Sequence, residues 1–126
     1  MKTAIATPNA PAAVGPYSQA IAAGDLLFFS GQIPLDPKSG ELVGTDAATQ
    51  VEQVLNNVEA LLSDAGLTTD HVVKSTIFLV DINDFGVCNE AYARRFRSPW
   101  PARSTIQVAA LPKGALVEIE VIAVRG

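Results

Sequence analysis

The stretch PARSTIQVAALPKGALVEIEVIAV, residues 101 to 124, decides the fold more than any other part of the sequence. Polar and apolar residues alternate on both sides of its LPKG turn at 111 to 114. Because side chains alternate between the two faces of a strand, this pattern predicts two strands joined as a closing hairpin. In the register that brings the apolar faces together, four polar residues share the opposite face: Arg103, Thr105, Glu118 and Glu120.

This polar face has two interpretations. On a solvated sheet, the arginine and the glutamates would form a cross-strand ion pair worth at most about 1 kcal/mol. However, Ile122 and Val124 share the face and would be exposed in a monomer, so a neighbouring subunit is expected to cover it. A partly covered Arg103 can hold a substrate carboxylate through two charge-assisted hydrogen bonds, and a nearby glutamate could then activate water.

Two helices are predicted upstream of this segment. Apolar residues recur at helical spacing from about residue 46 to residue 65, and Gly66 follows as a natural stop. A second helix is predicted over about 84 to 97, ending before Pro99 and Pro101, and its apolar stripe consists of Phe85, Cys88, Tyr92 and Phe96. Two helices can cover only one face of a sheet, so the other face needs a different cover.

The remaining strands complete the predicted order. Residues 17 to 29 are predicted to form a hairpin around the turn Gly24-Asp25. A separate brief strand is predicted near 41 to 43. Residues 72 to 80 are β-branched and aromatic on both sides, which is typical of a strand buried on both faces. The first sixteen residues are rich in alanine and proline, which favours an extended arm. This order predicts an α+β domain with a mixed sheet.

Length and composition limit the possible functions. A chain of 126 residues is about one domain, so we expect a single unit over 1–126. The sequence is 48% hydrophobic and 17% charged, which favours an oligomer. Its net charge of −4 would repel a phosphate backbone, so nucleic acid is not an expected partner. A single cysteine, Cys88, suits a reducing cytoplasm, and neither a signal peptide nor a membrane span is expected.

Candidate groups outside the closing segment are few. Ser30 has no histidine or lysine within local reach to activate it, so its backbone amide or that of Gly31 is the better candidate. Asn89 is either a buried hydrogen-bonding residue or a ligand contact. The only histidine, His71, is interpreted as a structural or surface residue, and without a second histidine no metal site is expected. No nucleotide-binding glycine loop is present, so no bound cofactor is expected.

Five segments carry a resemblance to a known family: NAPAAVGPYSQA at 9 to 20, FFSGQIPLDPKSGE at 28 to 41, QVEQVLNNVEALLSDAG at 50 to 66, FLVDINDF at 78 to 85 and PARSTIQVAALPKGALVEIEVIAV at 101 to 124. Together they closely resemble the Rid family, the YjgF-like enamine and imine deaminases, and within it the RidA-type members. The last segment is the most specific, because the arginine, the LPKG turn and the paired glutamates occur together at the family's spacing.

The resemblance implies a chorismate-mutase-like α+β fold, with two helices packed on one face of a mixed β-sheet. It also implies a homotrimer around a central barrel, with three active sites in the clefts between subunits. RidA-like proteins hydrolyse 2-aminoacrylate, 2-iminobutanoate and similar enamines and imines to 2-oxo acids and ammonia without a bound cofactor. The chain is therefore expected to be a cytoplasmic deaminase of small 2-imino and 2-enamino acids.

By position, the resemblance implies roles for individual residues. Arg103 would bind the substrate carboxylate and Glu118 would orient the attacking water, with Glu120 as the second choice of base. The pocket would be lined by Tyr17, Ser30, Gly31, Asn89 and Thr105. No metal ligand is implied.

The chain departs from the family pattern at two places. Thr105 stands where many members carry a cysteine, which changes a pocket wall but leaves intact a mechanism without a covalent step. The connection over 93 to 100 is shorter than in common RidA-type sequences, which bears on pocket shape. Two other functions stay open. One is a small-molecule-binding regulatory module, and the presence of Arg103 argues against it. The other is a ribonuclease or translation inhibitor, and the acidic net charge argues against it.

Overall fold

Two helices pack on one face of a six-stranded mixed sheet in the computed structural model, which describes residues 1–126. The strands are β1 (Lys2–Ile5), β2 (Ala20–Ala23), β3 (Leu26–Phe29), β4 (Val72–Leu79), β5 (Ala102–Gln107) and β6 (Val117–Val124). The helices are α1 (Ala47–Asp64) and α2 (Phe85–Arg95). The predicted α+β class, with a mixed sheet and two helices on one face, is confirmed.

Helix α1 supplies a large part of the core. Asp46 caps its start, because the carboxylate accepts the Thr49 N–H at 2.8 Å, and Gly66 follows its end with φ of 77°. Its fully buried apolar residues are Val51, Val54, Leu55, Val58, Leu61 and Leu62. They form one cluster with the buried side chains of β4 and β6. The helix predicted over 46 to 65 is thus confirmed to within one residue at each end.

The strand order β1-β2-β3-β6-β4-β5 overturns the predicted closing hairpin. β6 lies between β3 and β4 and pairs antiparallel with both, whereas β5 lies at the edge and pairs in parallel with β4. Helix α2 allows this pairing because parallel neighbours need a long crossover, and α2 connects the end of β4 to the start of β5. Alternation along a strand predicts the face that each residue takes, but not the strand that lies beside it.

The same topology separates the polar residues that the sequence predicts on one face. Residues directly opposite each other on neighbouring strands point to the same face. Ser75 of β4 is fully buried beneath the helices and pairs with Arg103, so Arg103 and Thr105 take the helix-covered face. The β4 residues that pair with Glu118 and Glu120 alternate with Ser75 and lie on the opposite, open face. The prediction of one shared face is wrong, because β5 and β6 both pair with β4 in registers that set Arg103 and the two glutamates opposite alternate residues of β4.

The N-terminal arm and β4 also differ from the prediction. Residues 2 to 5 form β1, which pairs antiparallel with β2, where the sequence predicts an extended arm. Strand β4 is buried on one face only: Ile77 and Leu79 are buried, whereas Val73 is 43% exposed. The reason is that both helices lie on the same side. The hairpin around Gly24-Asp25 is confirmed, since β2 and β3 pair antiparallel across it.

Helix α2 covers the edge of the sheet at β5. Of its predicted apolar stripe, Cys88, Tyr92 and Phe96 are buried, whereas Phe85 is 41% exposed. Tyr92 and Phe96 stack with their ring centroids 4.0 Å apart. Neither α1 nor α2 has an apolar run of the length that a membrane crossing requires.

Candidate functional site

Two separate clefts contain most of the candidate residues. The first, here called the arginine cleft, has a volume of about 390 Å³ and is lined by Asn89, Tyr92, Ala93, Trp100, Pro101 and Arg103. It lies where α2 passes over the helix-covered face of β5. The second, the glutamate cleft, is also about 390 Å³ in volume and is lined mainly by loops. It contains four of the candidates: Tyr17, Ser30, Gly31 and Glu118.

The Arg103 guanidinium is held by neutral groups alone. Its Cζ lies 4.9 Å from the centroid of the Tyr92 ring and 5.5 Å from that of the Phe85 ring. One Nη donates to Asn89 Oδ1 at 2.7 Å. All four salt bridges of the chain are made by other arginines. The charge of Arg103 therefore has no carboxylate partner within the chain and is available to an anionic ligand.

Thr105 lies two residues beyond Arg103 on the same face of β5. It is not part of the lining of the arginine cleft. Its hydroxyl is the one buried side-chain nitrogen or oxygen that has no hydrogen-bond partner in the chain. An unpaired buried hydroxyl is destabilising. Since it has no partner, the Thr105 oxygen beside Arg103 is still able to form a hydrogen bond.

Glu118 is the acid of the glutamate cleft. It lies on the open face of the sheet, two residues before Glu120 on β6. Burial raises the pKa of its carboxyl above the usual range, and the negative charge of Glu120 raises that pKa further. A carboxylate with a raised pKa is a stronger base than a fully solvated one, which suits it to accept a proton from water.

Gly31 makes room for the Glu118 carboxylate. A Cβ at position 31 would overlap this carboxylate where it lies, so glycine at this position allows Glu118 to approach the backbone closely. The neighbouring residues Gln32 and Ile119 exchange two backbone hydrogen bonds of 2.8 and 3.1 Å. The loop after β3 is thereby tied to β6, and together they position Glu118.

Ser30 and Tyr17 form hydrogen bonds within the wall of the glutamate cleft. The Ser30 hydroxyl donates to the Ser18 carbonyl at 2.6 Å, and its N–H donates to the Gln19 carbonyl at 2.9 Å. Tyr17 is 52% exposed, and its phenol oxygen accepts the Val14 N–H at 3.2 Å. Because the Ser30 hydroxyl donates to the backbone, it is not placed as an activated nucleophile, in keeping with its interpretation from sequence.

The structure does not bring Arg103 and Glu118 together within one chain. Asn89 accompanies Arg103, and the three remaining cleft candidates accompany Glu118. The two clefts belong to opposite faces of the sheet. Glu120 also lies on the open face but lines neither cleft. Each cleft thus holds half of the predicted site.

Sequence reasoning missed part of the arginine cleft. Ala93, Trp100 and Pro101 were given no role in binding, although Trp100 is the only tryptophan and lies three residues before Arg103. Tyr92 is predicted only as a core residue. The interpretation of His71 as structural agrees with the structure, because its Nδ1 accepts the Thr68 N–H at 3.1 Å. No cluster of three His, Cys, Asp or Glu side chains suited to a metal ion occurs in the chain.

Comparison with known proteins establishes the family. A family model described as Endoribonuclease L-PSP matches residues 7–125. The solved structure of YyfA from Yersinia pestis, a protein of unknown function of the conserved Rid protein family, is similar with a TM-score of 0.96. It is 53% identical in sequence, covering 99% of this chain and 100% of YyfA. The chain belongs to the Rid family.

Relatives of this Rid protein carry different names. The 2-iminobutanoate/2-iminopropanoate deaminase of Homo sapiens is 47% identical over 126 residues, which are 100% of this chain and 92% of the human protein. A RutC family protein of Pyrococcus horikoshii is 52% identical over 123 residues, 98% of each chain. The family description names a ribonuclease and the human relative is named as a deaminase. The activity of this Rid protein must therefore be argued from its own site.

Proposed function

We propose that this Rid protein hydrolyses 2-imino and 2-enamino acids, such as 2-iminobutanoate, 2-iminopropanoate and 2-aminoacrylate, to 2-oxo acids and ammonia. The observation that carries the proposal is the Arg103 guanidinium, which lies in a cleft without a carboxylate partner. Its planar fork fits a carboxylate, the group that all these substrates share. The names of the human relative and of the bovine relative, which is 50% identical, support the same reaction.

The proposed active site contains residues of two chains. Arg103 and Asn89 of one chain bind the substrate carboxylate, and Glu118 of a neighbouring chain faces the imine carbon, with Ser30 and Gly31 beside it. The separation of the two clefts on opposite faces supports this division, because Arg103 lines only the arginine cleft and Glu118 lines only the glutamate cleft. Tyr17 would close the wall on the glutamate side, and Thr105 would stand behind Arg103.

The assembly that we propose is a homotrimer. The open face of the sheet leaves large apolar side chains partly exposed, between 37% and 45%: Leu26, Phe28, Ile106 and Val124. Large apolar side chains exposed on one face of a sheet favour burial against other copies of the chain. In a closed ring, the arginine cleft of one chain can meet the glutamate cleft of the next, which gives equivalent sites around the axis.

Hydrolysis in such a site needs orientation and one proton acceptor. The water oxygen bonds to the imine carbon while Glu118 accepts one proton from that water and passes it to the substrate nitrogen, which gives a carbon that carries a hydroxyl and an amino group. The hydroxyl proton then transfers through Glu118 to the amino group, the C–N bond breaks, ammonia leaves, and the carbon becomes the carbonyl of the 2-oxo acid. An enamine reacts after its terminal carbon takes up a proton. General-base help of this kind typically contributes about 10² to 10⁴ in rate.

A coupled assay tests the proposal. A threonine dehydratase releases the unstable imine, and the purified protein is expected to accelerate formation of 2-oxobutanoate. Arg103→Ala should lower this acceleration at least about 10²-fold, because two charge-assisted hydrogen bonds to the carboxylate are lost. Arg97→Ala is the matched control: Arg97 is exposed, pairs with Asp70 and lines neither cleft, so this variant should keep wild-type activity.

Two results would contradict the proposal. If Arg103→Ala keeps the assembly and the rate of the wild type, the carboxylate-binding role is wrong. If the wild type leaves the dehydratase reaction unchanged but binds RNA in a salt-sensitive manner and cleaves it, the ribonuclease alternative is right.

A further inference from the structure

We infer that Tyr92 is a positioning residue for Arg103: its ring is the surface on which the guanidinium lies, and its buried hydroxyl fixes the ring through Ser75. The inference rests on the proposed function in one respect, namely that Arg103 binds an anion. Tyr92 has no role in the chemistry proposed above, and from sequence it is only a member of the apolar stripe of α2.

The Tyr92 ring is held on several sides. It is 4% exposed and stacks on Phe96, with an angle of 12° between the ring planes. Its hydroxyl lies 2.8 Å from Ser75 Oγ, and Ser75 has no exposed surface. Burial raises the pKa of the Tyr92 phenol, so the hydroxyl stays protonated at neutral pH and keeps this hydrogen bond. The ring therefore has a single, fixed orientation.

Sheet register places this fixed ring beneath Arg103. Ser75 and Arg103 are direct partners on β4 and β5 and point to the same face. A ring whose hydroxyl bonds to Ser75 is therefore beside Arg103, and the guanidinium Cζ is 4.9 Å from the ring centroid. This distance is within the range of a cation–π interaction.

An aromatic ring holds the Arg103 guanidinium ready for an anion better than a carboxylate would. A carboxylate would occupy the guanidinium N–H groups and neutralise the charge, whereas a ring attracts the cation through its face and leaves the N–H edge free. Only one N–H of Arg103 is used within the chain, by Asn89. Because the side chain is already ordered, less conformational entropy is lost when a carboxylate binds.

Binding of 2-oxobutanoate, measured by calorimetry, tests this role without depending on turnover. Tyr92→Leu removes the ring and is expected to raise Kd about tenfold, which is ~1.4 kcal/mol. Tyr92→Phe keeps the ring but loses the hydrogen bond to Ser75, so its Kd should rise by no more than about threefold, less than that of Tyr92→Leu. In the coupled assay, Tyr92→Leu should raise KM more than it lowers kcat, because the ring acts on carboxylate binding.

Phe29→Leu is the matched control, because it removes a ring of similar burial from the same hydrophobic core, and Phe29 neither stacks on Tyr92 nor lines the arginine cleft. It is expected to lower the Tm as Tyr92→Leu does, while Kd stays within about threefold of the wild type. If Tyr92→Leu does not fold, Tyr92→Met, which fills more of the space, takes its place. The inference is overturned if the folded Leu or Met variant at position 92 binds like the wild type, or if Phe29→Leu weakens binding as much.

The test also separates this inference from the proposed function. If 2-oxobutanoate binds through Arg103 and depends on the Tyr92 ring, but no imine is hydrolysed, the deaminase proposal fails and the positioning role stands. If Arg103→Ala binds 2-oxobutanoate as tightly as the wild type, Arg103 is not the anion site and the positioning role fails.

Discussion

Arg103 and Glu118 have different surroundings, although both are partly buried charged residues. Arg103 lies on aromatic rings and bonds to an amide, so its charge is unopposed within the chain. Glu118 lies in a cleft where burial and Glu120 both raise its pKa. One residue is thereby prepared to bind an anion and the other to accept a proton.

Gly31→Ala tests the close approach that positions Glu118. The backbone at Gly31 does not require a positive φ, so alanine fits the main chain and only the Glu118 carboxylate must move. We expect the fold to survive, and kcat/KM in the coupled assay to fall about 10²-fold, because a displacement of about 1 Å at a catalytic group has this effect.

Gly86→Ala is the matched control for this prediction. A Cβ at Gly86 would meet nothing within 4 Å, and the residue lies within α2, where alanine is the better helix former. Its activity should equal that of the wild type. Wild-type activity in Gly31→Ala as well would show that the position of Glu118 does not matter for the reaction.

At the scale of elements, α2 both connects β4 to β5 and supports the Arg103 side chain. It is the crossover that makes β5 parallel to β4, and it provides Asn89 and Tyr92 beside Arg103. The other side of α2 is fastened to α1 by Arg95, whose guanidinium bonds to Glu52, Asn56 and Glu59. The arginine cleft therefore depends on how firmly these two helices are joined.

Arg95→Ala should lower the free energy of unfolding by about 1 to 2 kcal/mol at pH 7, because it removes several partly buried charged hydrogen bonds. The pKa of Glu52 is lowered by its hydrogen bonds to Arg94 and Arg95. A carboxyl whose pKa is lowered by folding stabilises the folded state at pH values above its pKa in the unfolded chain. This stability is lost as the pH falls through its pKa in the folded chain. The difference between wild type and variant should therefore narrow in acid.

Urea unfolding measures the free energies of unfolding of wild type and variant at pH 7 and again below pH 4.5, the ordinary pKa of a glutamate such as Glu52. All samples are compared at the same protein concentration. Arg94→Ala is the control: Arg94 is 61% exposed at its side chain and bonds only to Glu52, so its effect at pH 7 should be smaller. An Arg95→Ala effect that does not change with pH would show that the loss comes from packing and not from charge.

At the scale of the whole molecule, the two clefts predict complementation between inactive variants. Arg103→Ala and Glu118→Gln should each be inactive alone. When the two are unfolded together and reassembled in equal amounts, about a quarter of all shared sites combine an intact Arg103 with an intact Glu118 from a neighbour. Activity should therefore return to about a quarter of the wild-type value.

The control for complementation is to mix the two variants without unfolding them, so that chains do not exchange. This mixture should stay inactive. If the co-assembled sample is also inactive although mixed trimers are present, the two residues do not meet across a chain boundary and the shared site is wrong. Activity in either variant alone would instead exclude that residue from the reaction.

Periodicity along the chain was sufficient to predict the elements that face a core. Helix α1 is bounded by Asp46 and Gly66 as the sequence indicates, because capping and stop signals are local. The candidate residues came from the resemblance of five segments to the Rid family. Trp100 and Tyr92 were missed as cleft residues, because their position in the same cleft as Arg103 depends on how α2 crosses over β5.

The sequence by itself determined which residues of 101 to 124 share a face of their own strand, because alternation is a property of one extended chain. Only the tertiary structure decided that β5 and β6 are separated by β4, and that Arg103 and Glu118 face opposite ways. The physical reason is that strands pair through backbone N–H and C=O groups, which are the same in every strand. The choice of neighbour therefore depends on the crossover through α2 and on the apolar faces that the whole fold buries.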